Sequence, residues 1–436
     1  MDFAEPLYRL HLDQQLERIS GALAAADCDH LWIDNGSLLR RFADDSRYPF
    51  RANPYLAEIV PLNQYPDCHL IASPGARPRL LIKQSEDIWH SRLPLPPHSS
   101  LFDIEYYRDP EQLSRQLPRG RIALISAATS APDSVELNPS ALLNALDYAR
   151  AVKSDYAIAQ LQAATVSAAR GHSAAREAFY AGASELEIHA LYQHACGQSD
   201  NLLPYDNIVA TDQHAAVLHH TVRDSRRQRR HSLLLDAGAS HAGYACDITR
   251  SYAGSAAPQL YRDLIDALDS AQQQLAATLT PGTDFIAVQA AADQIVASLL
   301  SDSGLVAVSA TQAQALGLVA AFFPHGVGHL LGVQVHDRGG HLCDSRGGRR
   351  PPPPSNLMLR CTRQLEANMV LTVEPGIYFI PQLLDGLSGA SRAAVNWRLL
   401  DTLLPCGGIR IEDNVVVGTS AARNLSREVF AQQASL

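Results

Sequence analysis

The sequence predicts an α+β fold in which a smaller α/β domain precedes a larger domain. Residues 1–150 alternate helical and strand-like segments, residues 151–181 have the composition of one long helix, and the remainder sets strand-like runs beside separate helices. Strands grouped apart from helices favour the α+β class over a doubly wound parallel sheet. The length of 436 residues is enough for two or three domains. We therefore predict an N-terminal domain at 1–150 and a C-terminal domain at 151–436.

The first domain is predicted from short apolar segments between turn-forming residues. Leucine and isoleucine recur at roughly helical spacing within residues 7–19, which indicates an opening helix. Four apolar runs bounded by Pro, Gly or Asp have the length of strands. They lie at 30–34, 68–72, 79–83 and 121–126.

The second domain begins with helices and ends in strands. The stretch 151–181 contains no proline and one glycine, which predicts a single helix. Ser184 and Glu187 have the spacing of a capping box that opens the next helix, through His194. Strand-like runs follow at 207–210, 232–237, 244–252, 369–379 and 408–418, with helical segments near 258–278 and 284–301.

Composition and charge narrow the class of protein. Lys plus Arg number 36 and Asp plus Glu number 45, so the net charge is −9 and general binding to nucleic-acid phosphates is disfavoured. No apolar run of about 18 residues is present, so we expect no membrane span. The first residues carry acidic side chains where a signal peptide carries basic ones, and the seven scattered cysteines form no C-x-x-C pair. These features predict a cytoplasmic protein without a disulfide framework.

Two aspartates lie close together in the segment LLLDAGASHAGYACDITRSY. Asp236 ends an apolar strand, and ten residues separate it from Asp247 in the next strand-like run. In an antiparallel hairpin such residues can lie directly opposite each other, with both carboxylates on one face. Two buried carboxylates about 5 Å apart repel each other unless a cation lies between them. The alternative is a surface turn with two unrelated aspartates.

A group of histidines follows in the segment FPHGVGHLLGVQVHDRGGH. It holds His325, His329, His336 and His341 within 17 residues. The interleaved glycines disfavour a helix and allow the backbone to approach a ligand or metal ion. A lone histidine is usually structural, but four in this setting indicate a site. We expect His341 to be a surface or loop residue.

Two glutamates complete an oxygen-rich set of candidate metal ligands. Glu374 precedes Pro375, which favours extended backbone near the end of a strand. Glu412 lies two residues after Arg410, so in a strand both share a face and Arg410 can orient the carboxylate. Two aspartates, two glutamates and one histidine suit Mn²⁺ or a similar divalent ion. One carboxylate that bridges two ions gives the two-metal arrangement used in hydrolysis.

These segments, in this order, resemble the pita-bread metallopeptidases, which include methionine aminopeptidase, aminopeptidase P and prolidase. The metal ligands of that family follow the order Asp, Asp, His, Glu, Glu. The matching residues here are Asp236 in LLLDAG, Asp247 in ACDITR, His329 in HGVGH, Glu374 in TVEPG and Glu412 in RIEDN. The resemblance implies a pita-bread catalytic domain at 151–436 with a site for two divalent metal ions.

The preceding domain and several further motifs resemble the bacterial-type prolidase branch over almost the whole chain. These motifs are DDSRYPFRANP, LPYDNIVA, AAVLHHT, LRCTR and PGIYFIPQLL. The resemblance implies a homodimer with two Mn²⁺ ions per chain that hydrolyses dipeptides with C-terminal proline (Xaa-Pro). Some members of the branch also hydrolyse organophosphate esters. One departure is LHHT in place of the family's LHYT, which adds His220 beside His219; we expect His220 to be a surface or loop residue.

The resemblance also implies a mechanism in which a hydroxide bridging the two metals attacks the Xaa-Pro carbonyl carbon. Glu374 is then both a metal ligand and the general base, and Arg410 steadies Glu412.

Four further side chains are expected around the substrate. His219 and His336 resemble the family histidines that position the substrate and stabilise the developing oxyanion. Tyr205 and His325 are expected to line the substrate pocket.

An arginine is expected to bind the carboxylate of the substrate proline through its guanidinium fork. Arg360 corresponds to the family residue, and the nearby Arg363 is the alternative.

Three other functions remain open at this point. Aminopeptidase P uses the same metal chemistry on longer Xaa-Pro peptides, which a carboxylate clamp at Arg360 should exclude. A non-catalytic pita-bread protein that binds partners would be expected to have lost metal ligands, and all five are present. The basic segment RDSRRQRRH at 223–231 could contact nucleic-acid phosphates, but a solvated loop fits the acidic chain better.

Overall fold

The structure of the protein is a computed structural model, which describes residues 5–84 and 94–434. It divides the chain into two compact units. The first unit comprises Met1–Gln160, His241–Tyr244 and Leu342–Arg349. The second unit comprises Leu161–Ser240, Ala245–His341 and Arg350–Leu436. Both units combine helices with sheets, and the predicted α+β class is confirmed.

The first unit contains a six-stranded mixed sheet. Its strands are β1 (His30–Asp34), β2 (Cys68–Ala72), β3 (Arg79–Lys83), β4 (Asp103–Tyr107), β5 (Ile122–Ile125) and β6 (Val135–Leu137). They lie in the order β4-β3-β2-β1-β5-β6, with β2 antiparallel to both of its neighbours and the remaining pairs parallel. The helices are α1 (Glu5–Ala25), α2 (Pro54–Ile59), α3 (Pro110–Gln116) and α4 (Ser140–Arg150). The four predicted strands of this unit are confirmed.

The predicted helix at 151–181 begins later than expected. Helix α4 ends at Arg150, and helix α5 (Asp155–Tyr180) starts after a short break. The Ser154 hydroxyl accepts a hydrogen bond from the backbone N–H of Ala157, so it satisfies one of the free donors at the start of α5. Composition alone did not reveal this cap.

The second unit contains most of the helices. After α5 they are α6 (Glu185–Cys196), α7 (Gln259–Ala277), α8 (Phe285–Asp302), α9 (Ala310–Ala315), α10 (Leu318–Phe322), α11 (Pro381–Asp385), α12 (Gly389–Ala394), α13 (Trp397–Leu403) and α14 (Leu425–Ala434). The capping box predicted for α6 is present, with Ser184 and Glu187 bonded to each other's backbone N–H groups. Among the described residues, no helix combines the length and the apolar character that a membrane span requires.

The strands of the second unit form small antiparallel sheets. They are β7 (Ile208–Thr211), β8 (Ser232–Asp236), β11 (Thr249–Ala253), β12 (Val370–Val373), β13 (Gly376–Tyr378), β14 (Gly408–Arg410), β15 (Asp413–Val416) and β16 (Arg423–Asn424). The residues of the short hairpin β9 (Ser240–His241) and β10 (Tyr244–Ala245) are divided between the two units. The sheets have the orders β11-β8-β7, β12-β15-β16 and β13-β14. Strand β8 is buried on both faces: Leu233 and Leu235 pack with α6 residues, and Leu234 packs with Tyr378. That double burial explains its continuous apolar run.

Each long strand-like run predicted in the second unit is interrupted at a candidate metal ligand. The run 244–252 breaks around Asp247, the run 369–379 breaks at Glu374, and the run 408–418 breaks at Glu412. The break after Glu374 has a local cause, because Pro375 has no N–H to donate to a ladder. The carboxylates therefore lie where the regular backbone pairing stops.

One glycine allows two chain segments of the second unit to approach closely. A Cβ added at Gly328, which precedes His329, would lie 2.0 Å from the backbone oxygen of Thr372. The neighbouring backbone could not accommodate that atom without moving, since the contact is to main chain and not to a flexible side chain. Gly328 thus keeps His329 next to strand β12.

We expect Gly328→Ala to lower the free energy of unfolding by about 1–3 kcal/mol, because the methyl group overlaps the backbone of β12. Gly386→Ala is the matched control in the same unit, since a Cβ there meets its nearest atom at 3.4 Å and the residue has a helical φ of −70°. Chemical denaturation followed by circular dichroism measures both. Equal midpoints for the two variants would contradict the close approach.

Candidate metal centre

Two aspartate side chains of the second unit meet at one tyrosine hydroxyl. Tyr205 Oη lies 2.8 Å from Oδ1 of Asp236 and 2.6 Å from Oδ1 of Asp247, and both carboxylates are buried. The predicted hairpin register was wrong, because β8 and β11 pair Asp236 with Thr249. Asp247 lies two residues before Thr249, yet its carboxylate reaches the same Tyr205 hydroxyl as that of Asp236.

His329 brings a nitrogen next to two of the carboxylates. Its Nε2 lies 3.4 Å from Oδ2 of Asp247 and 3.6 Å from Oε1 of Glu374. Its Nδ1 lies 3.0 Å from the backbone oxygen of Leu330, to which an Nδ1–H donates. That hydrogen bond leaves the lone pair on Nε2, the atom that faces the carboxylates, as required of a metal-ligating imidazole.

Glu412 joins this group through an isolated backbone bridge with Thr249. The Glu412 N–H donates to the Thr249 oxygen at 3.0 Å, and the Thr249 hydroxyl donates to Oε2 of Glu412 at 2.7 Å. One ligand atom each of Asp247, His329 and Glu412 lies within 4.8 Å of the other two. The structure thus brings together the five residues predicted as metal ligands.

Arg410 contacts a different carboxylate from the one expected. Its guanidinium donates to Oδ2 of Asp236 at 2.5 Å, to the Tyr378 hydroxyl at 2.9 Å and to the Thr249 hydroxyl at 3.1 Å. The prediction that Arg410 steadies Glu412 is therefore corrected, because the connection between them passes through Thr249. The direct partner of Arg410 is Asp236.

The buried carboxylates resist ionisation in the absence of bound cations. Burial raises the pKa of Asp236 to about 6 and the pKa of Glu374 to about 7. Burial and the neighbouring carboxylates raise the pKa of Glu412 well above its usual range. For Asp247, burial also opposes ionisation, but the neighbouring His329 holds its pKa below the ordinary value.

This donor set fits divalent metal ions. Three buried carboxylates and the partly buried Glu374 share a single contacting guanidinium, that of Arg410, among the residues that the structure describes. Two divalent cations would supply the missing positive charge, and carboxylate oxygens with one imidazole nitrogen suit ions such as Mn²⁺.

The three residues predicted to contact the reacting substrate differ from the carboxylates in being exposed. They are His219, His336 and Arg360. The His336 ring packs edge-on against His329, with centroids 4.5 Å apart. Partial desolvation of its ring, together with the charges of His329 and Arg360, lowers the pKa of His336 to about 4.

Arg363, the alternative carboxylate clamp, is already engaged. It is buried, and its guanidinium donates to Oε1 of Glu366 at 2.6 Å. Of the two arginines, Arg360 is thus the one with an exposed guanidinium.

His325 has both ring nitrogens occupied by protein groups. Nδ1 lies 2.9 Å from the backbone oxygen of Gly326, and Nε2 lies 2.7 Å from the Tyr378 hydroxyl. Burial lowers its pKa to about 3, so the ring is neutral. As a residue expected to line the substrate pocket, His325 therefore presents a neutral ring whose two nitrogens already bond protein groups.

Sequence reasoning missed Thr249 and Tyr378, which link the ligands to Arg410. Both are neutral hydroxyl side chains, so no pattern of charge or spacing in the sequence marked them. Tyr378 does stand in PGIYFIPQLL, one of the motifs that carried the resemblance. His220 lies in a loop, one of the two expected alternatives, but it is 9 % exposed and therefore not a surface residue.

The basic segment 223–231 pairs largely with acidic groups of its own unit. Arg226 contacts Asp224 at 3.1 Å, and Arg227 contacts Glu187 at 2.5 Å. Arg230 contacts Asp224 and Asp212, both at 3.3 Å. These contacts use much of the positive charge that the nucleic-acid interpretation relied on.

Two protein-family models match the chain. The model described as "Metallopeptidase family M24" matches residues 159–419, and "Xaa-Pro dipeptidase, N-terminal domain" matches residues 6–148. Among curated proteins, an Xaa-Pro dipeptidase of Xanthomonas campestris pv. campestris is 43% identical over 433 residues, covering 98% of each chain. An Xaa-Pro dipeptidase of Shewanella frigidimarina is 39% identical over 436 residues, covering 98% of this chain and 99% of the relative.

Solved structures of similar fold include aminopeptidases P. Escherichia coli aminopeptidase P with the inhibitor Pro-Leu superimposes with a TM-score of 0.72 at 21% identity, covering 100% of this chain and 99% of the other. Proline aminopeptidase P II from Yersinia pestis gives a TM-score of 0.71 at 22% identity, with 100% of both chains covered. These likenesses confirm the expected two-domain pita-bread fold.

We expect Asp247→Asn to bind fewer than two divalent ions per chain, because the amide removes a negative charge from the cluster and leaves the side-chain shape unchanged. Elemental analysis of the purified, metal-reconstituted protein measures the ion content. Glu366→Gln is the control, since it also removes one carboxylate but at the partner of Arg363. Retention of two ions by Asp247→Asn would show that the metal ligands are misassigned.

Proposed function

The chain belongs to metallopeptidase family M24, and on that premise we propose that it hydrolyses dipeptides with proline at the C-terminal position. The observation that carries this proposal is the similarity to Xaa-Pro dipeptidases over 98% of the chain, at 43% identity. The match to the Xaa-Pro dipeptidase N-terminal domain supports the same subfamily. We place the domain boundary at residue 150, between the two matched regions.

The residues proposed to hold two metal ions are Asp236, Asp247, His329, Glu374 and Glu412. When bound, the ions would activate a water molecule as the nucleophile and polarise the substrate carbonyl group. We propose Mn²⁺ as the natural ion, because four of the five ligands are hard carboxylates.

The chain's own residues orient the ligands before any substrate binds. Arg410 holds one oxygen of Asp236, and the Tyr205 hydroxyl contacts Asp236 and Asp247. The Thr249 hydroxyl holds one oxygen of Glu412. These contacts fix which carboxylate oxygens remain available to cations.

We propose that Glu374 accepts the proton of the attacking water. Its carboxylate is close to His329, and the Thr372 hydroxyl donates a weak hydrogen bond to Oε1 at 3.4 Å. The scissile bond to proline is a tertiary amide, which offers no N–H for recognition. We therefore assign substrate positioning to His219 and His336, whose rings are exposed and able to donate hydrogen bonds to a carbonyl oxygen.

Arg360 is proposed to bind the free carboxylate of the dipeptide. Its exposed side chain and its effect on the pKa of His336 support this assignment. The clamp would distinguish a dipeptidase from an aminopeptidase P, whose longer substrates have no carboxylate at that position. The fold likeness to aminopeptidases P is below 25% identity and does not favour the second activity.

Two further properties belong to the same proposal. We propose a homodimer in the cytoplasm, and the seven free cysteines support a reducing compartment. Light scattering would test the assembly. Hydrolysis of an organophosphate triester is a side activity that can be assayed on the same preparation.

We expect the metal-free protein to be inactive on Ala-Pro and to gain activity when Mn²⁺ is added, because two ions complete the carboxylate cluster. The tripeptide Ala-Pro-Ala should be a far poorer substrate, since its carboxylate lies one residue farther from the scissile bond. Release of free amino acid measures both reactions. Faster hydrolysis of the tripeptide would replace the proposal with aminopeptidase P activity.

We expect Arg360→Ala to lower kcat/KM on Ala-Pro by roughly 10–100-fold, the value of a charge-assisted hydrogen bond of about 1.5–3 kcal/mol. Hydrolysis of amidated Ala-Pro-NH₂ should fall much less, because that substrate has no carboxylate to bind. Metal content should stay at the wild-type value.

Arg363→Ala is the comparison variant, because its guanidinium is buried against Glu366. A selective loss on the dipeptide in Arg363→Ala, and not in Arg360→Ala, would transfer the role of clamp to Arg363.

A further inference from the structure

A second cluster of metal-binding side chains surrounds Glu185, in the first turn of helix α6. The Glu185 carboxylate is fully buried, although an isolated charge there would be costly. Oε1 accepts hydrogen bonds from the backbone N–H of Thr211 at 2.7 Å and from its hydroxyl at 2.8 Å. Oε2 accepts a hydrogen bond from the backbone N–H of Asp224 at 2.8 Å. Glu185 therefore joins the two ends of the segment 211–224.

Two histidines of that segment direct ring nitrogens at the same carboxylate. His214 Nδ1 lies 2.8 Å from Oε1 of Glu185, and His220 Nε2 lies 3.3 Å from Oε2. The rings stack with centroids 4.3 Å apart. One ligand atom from each of the three residues lies within 4.8 Å of the other two. Two imidazoles and one carboxylate thus converge on one small volume.

Hydrogen bonds alone account poorly for this convergence. The two lone pairs of Oε1 are already used by Thr211, so His214 would be a third donor to the same oxygen. The contact of His220 with Oε2, at 3.3 Å, is longer than an ordinary N–H···O hydrogen bond. A cation that accepts a lone pair from each imidazole satisfies both nitrogens without an added donor.

We propose that Glu185, His214 and His220 form a separate site for one Zn²⁺ ion. Two nitrogens and one oxygen, with water at a fourth position, are a ligand set that Zn²⁺ adopts in proteins. The His214 side chain is 41% exposed, so the ion and the water can reach the site from solvent. The imidazoles distinguish this site from the carboxylate-rich centre, which suits harder ions.

An ion bound at the proposed site would restrain the segment 211–224, which carries His219. His219 is adjacent to His220, and the segment is held at both ends by Glu185. A bound ion would join His214 and His220 as well, and would therefore limit the motion of His219. The proposal that zinc binds does not depend on the proposed dipeptidase activity.

The decisive experiment uses the full-length variant Asp247→Asn/Glu412→Gln, in which the carboxylate centre is weakened. Titration of this variant with Zn²⁺ by calorimetry should detect one tight site per chain. Addition of His214→Asn and His220→Tyr should weaken that site by about 100-fold or more, since two ligands are removed. X-ray absorption of the zinc-loaded first variant should show two imidazole ligands.

Thermal unfolding provides a second measurement if the combined variant folds poorly. Zn²⁺ should raise the Tm of the Asp247→Asn/Glu412→Gln protein, and His214→Asn alone should remove most of that rise. His220→Tyr alone, which introduces the tyrosine of the LHYT motif, should do the same while keeping a ring at the position. Tight zinc binding that survives loss of both histidines, or an absence of tight binding before their removal, would overturn the proposal.

Discussion

The main physical constraint on the second unit is that it holds four carboxylates close together with little access to water. When ionised, Asp236, Asp247, Glu374 and Glu412 carry charges of the same sign, and their mutual repulsion adds to the loss of hydration. Hydrogen bonds from Tyr205, Thr249 and Arg410 offset part of this penalty. The part of the penalty that these hydrogen bonds do not offset makes the cluster a strong ligand for cations. A bound cation removes both the repulsion and the unfavourable desolvation.

The backbone accommodates this cluster by interrupting its strands. Three strand-like runs break at Asp247, Glu374 and Glu412, so the side chains that could not pack in a regular sheet emerge at the gaps. Close backbone approaches at glycines then bring the separate segments together. A Cβ at Gly238 would lie 2.1 Å from the Cys246 oxygen, just as one at Gly328 would meet β12. The small residues are therefore as much a part of the centre as the acids.

The sequence was sufficient for the fold class, the capping box of α6 and four of the six strands of the first unit. It was also sufficient to nominate the five ligands, because charged residues in short motifs keep a fixed order along the chain. It did not reveal the hairpin register, since the connection between β8 and β11 contains a further small hairpin that shifts Thr249 opposite Asp236.

Partners that depend on tertiary contacts were equally hidden in the sequence. Arg410 was assigned to Glu412 from a spacing of two, but β14 ends at Arg410, so the strand argument did not apply. The burial of His220 was not predicted, because nothing local in the sequence marks Glu185, 35 residues earlier, as its partner. Such contacts follow from packing and not from local pattern.

The contacts of His325 have a consequence for where protons can move. Arg410 can only donate hydrogen bonds and the Gly326 carbonyl can only accept them, so the Tyr378 oxygen accepts from Arg410 and the Tyr378 proton points to Nε2 of the neutral His325 ring. The imidazole consequently carries its own proton on Nδ1, directed at the Gly326 oxygen, where this row of hydrogen bonds ends. The direction of this row of hydrogen bonds is set by Arg410 at one end, which only donates, and by the Gly326 carbonyl at the other, which only accepts. Arg410, Tyr378 and His325 are thus committed to hydrogen bonds of fixed direction. Acid–base exchange is left to the groups of the centre that lie outside this row.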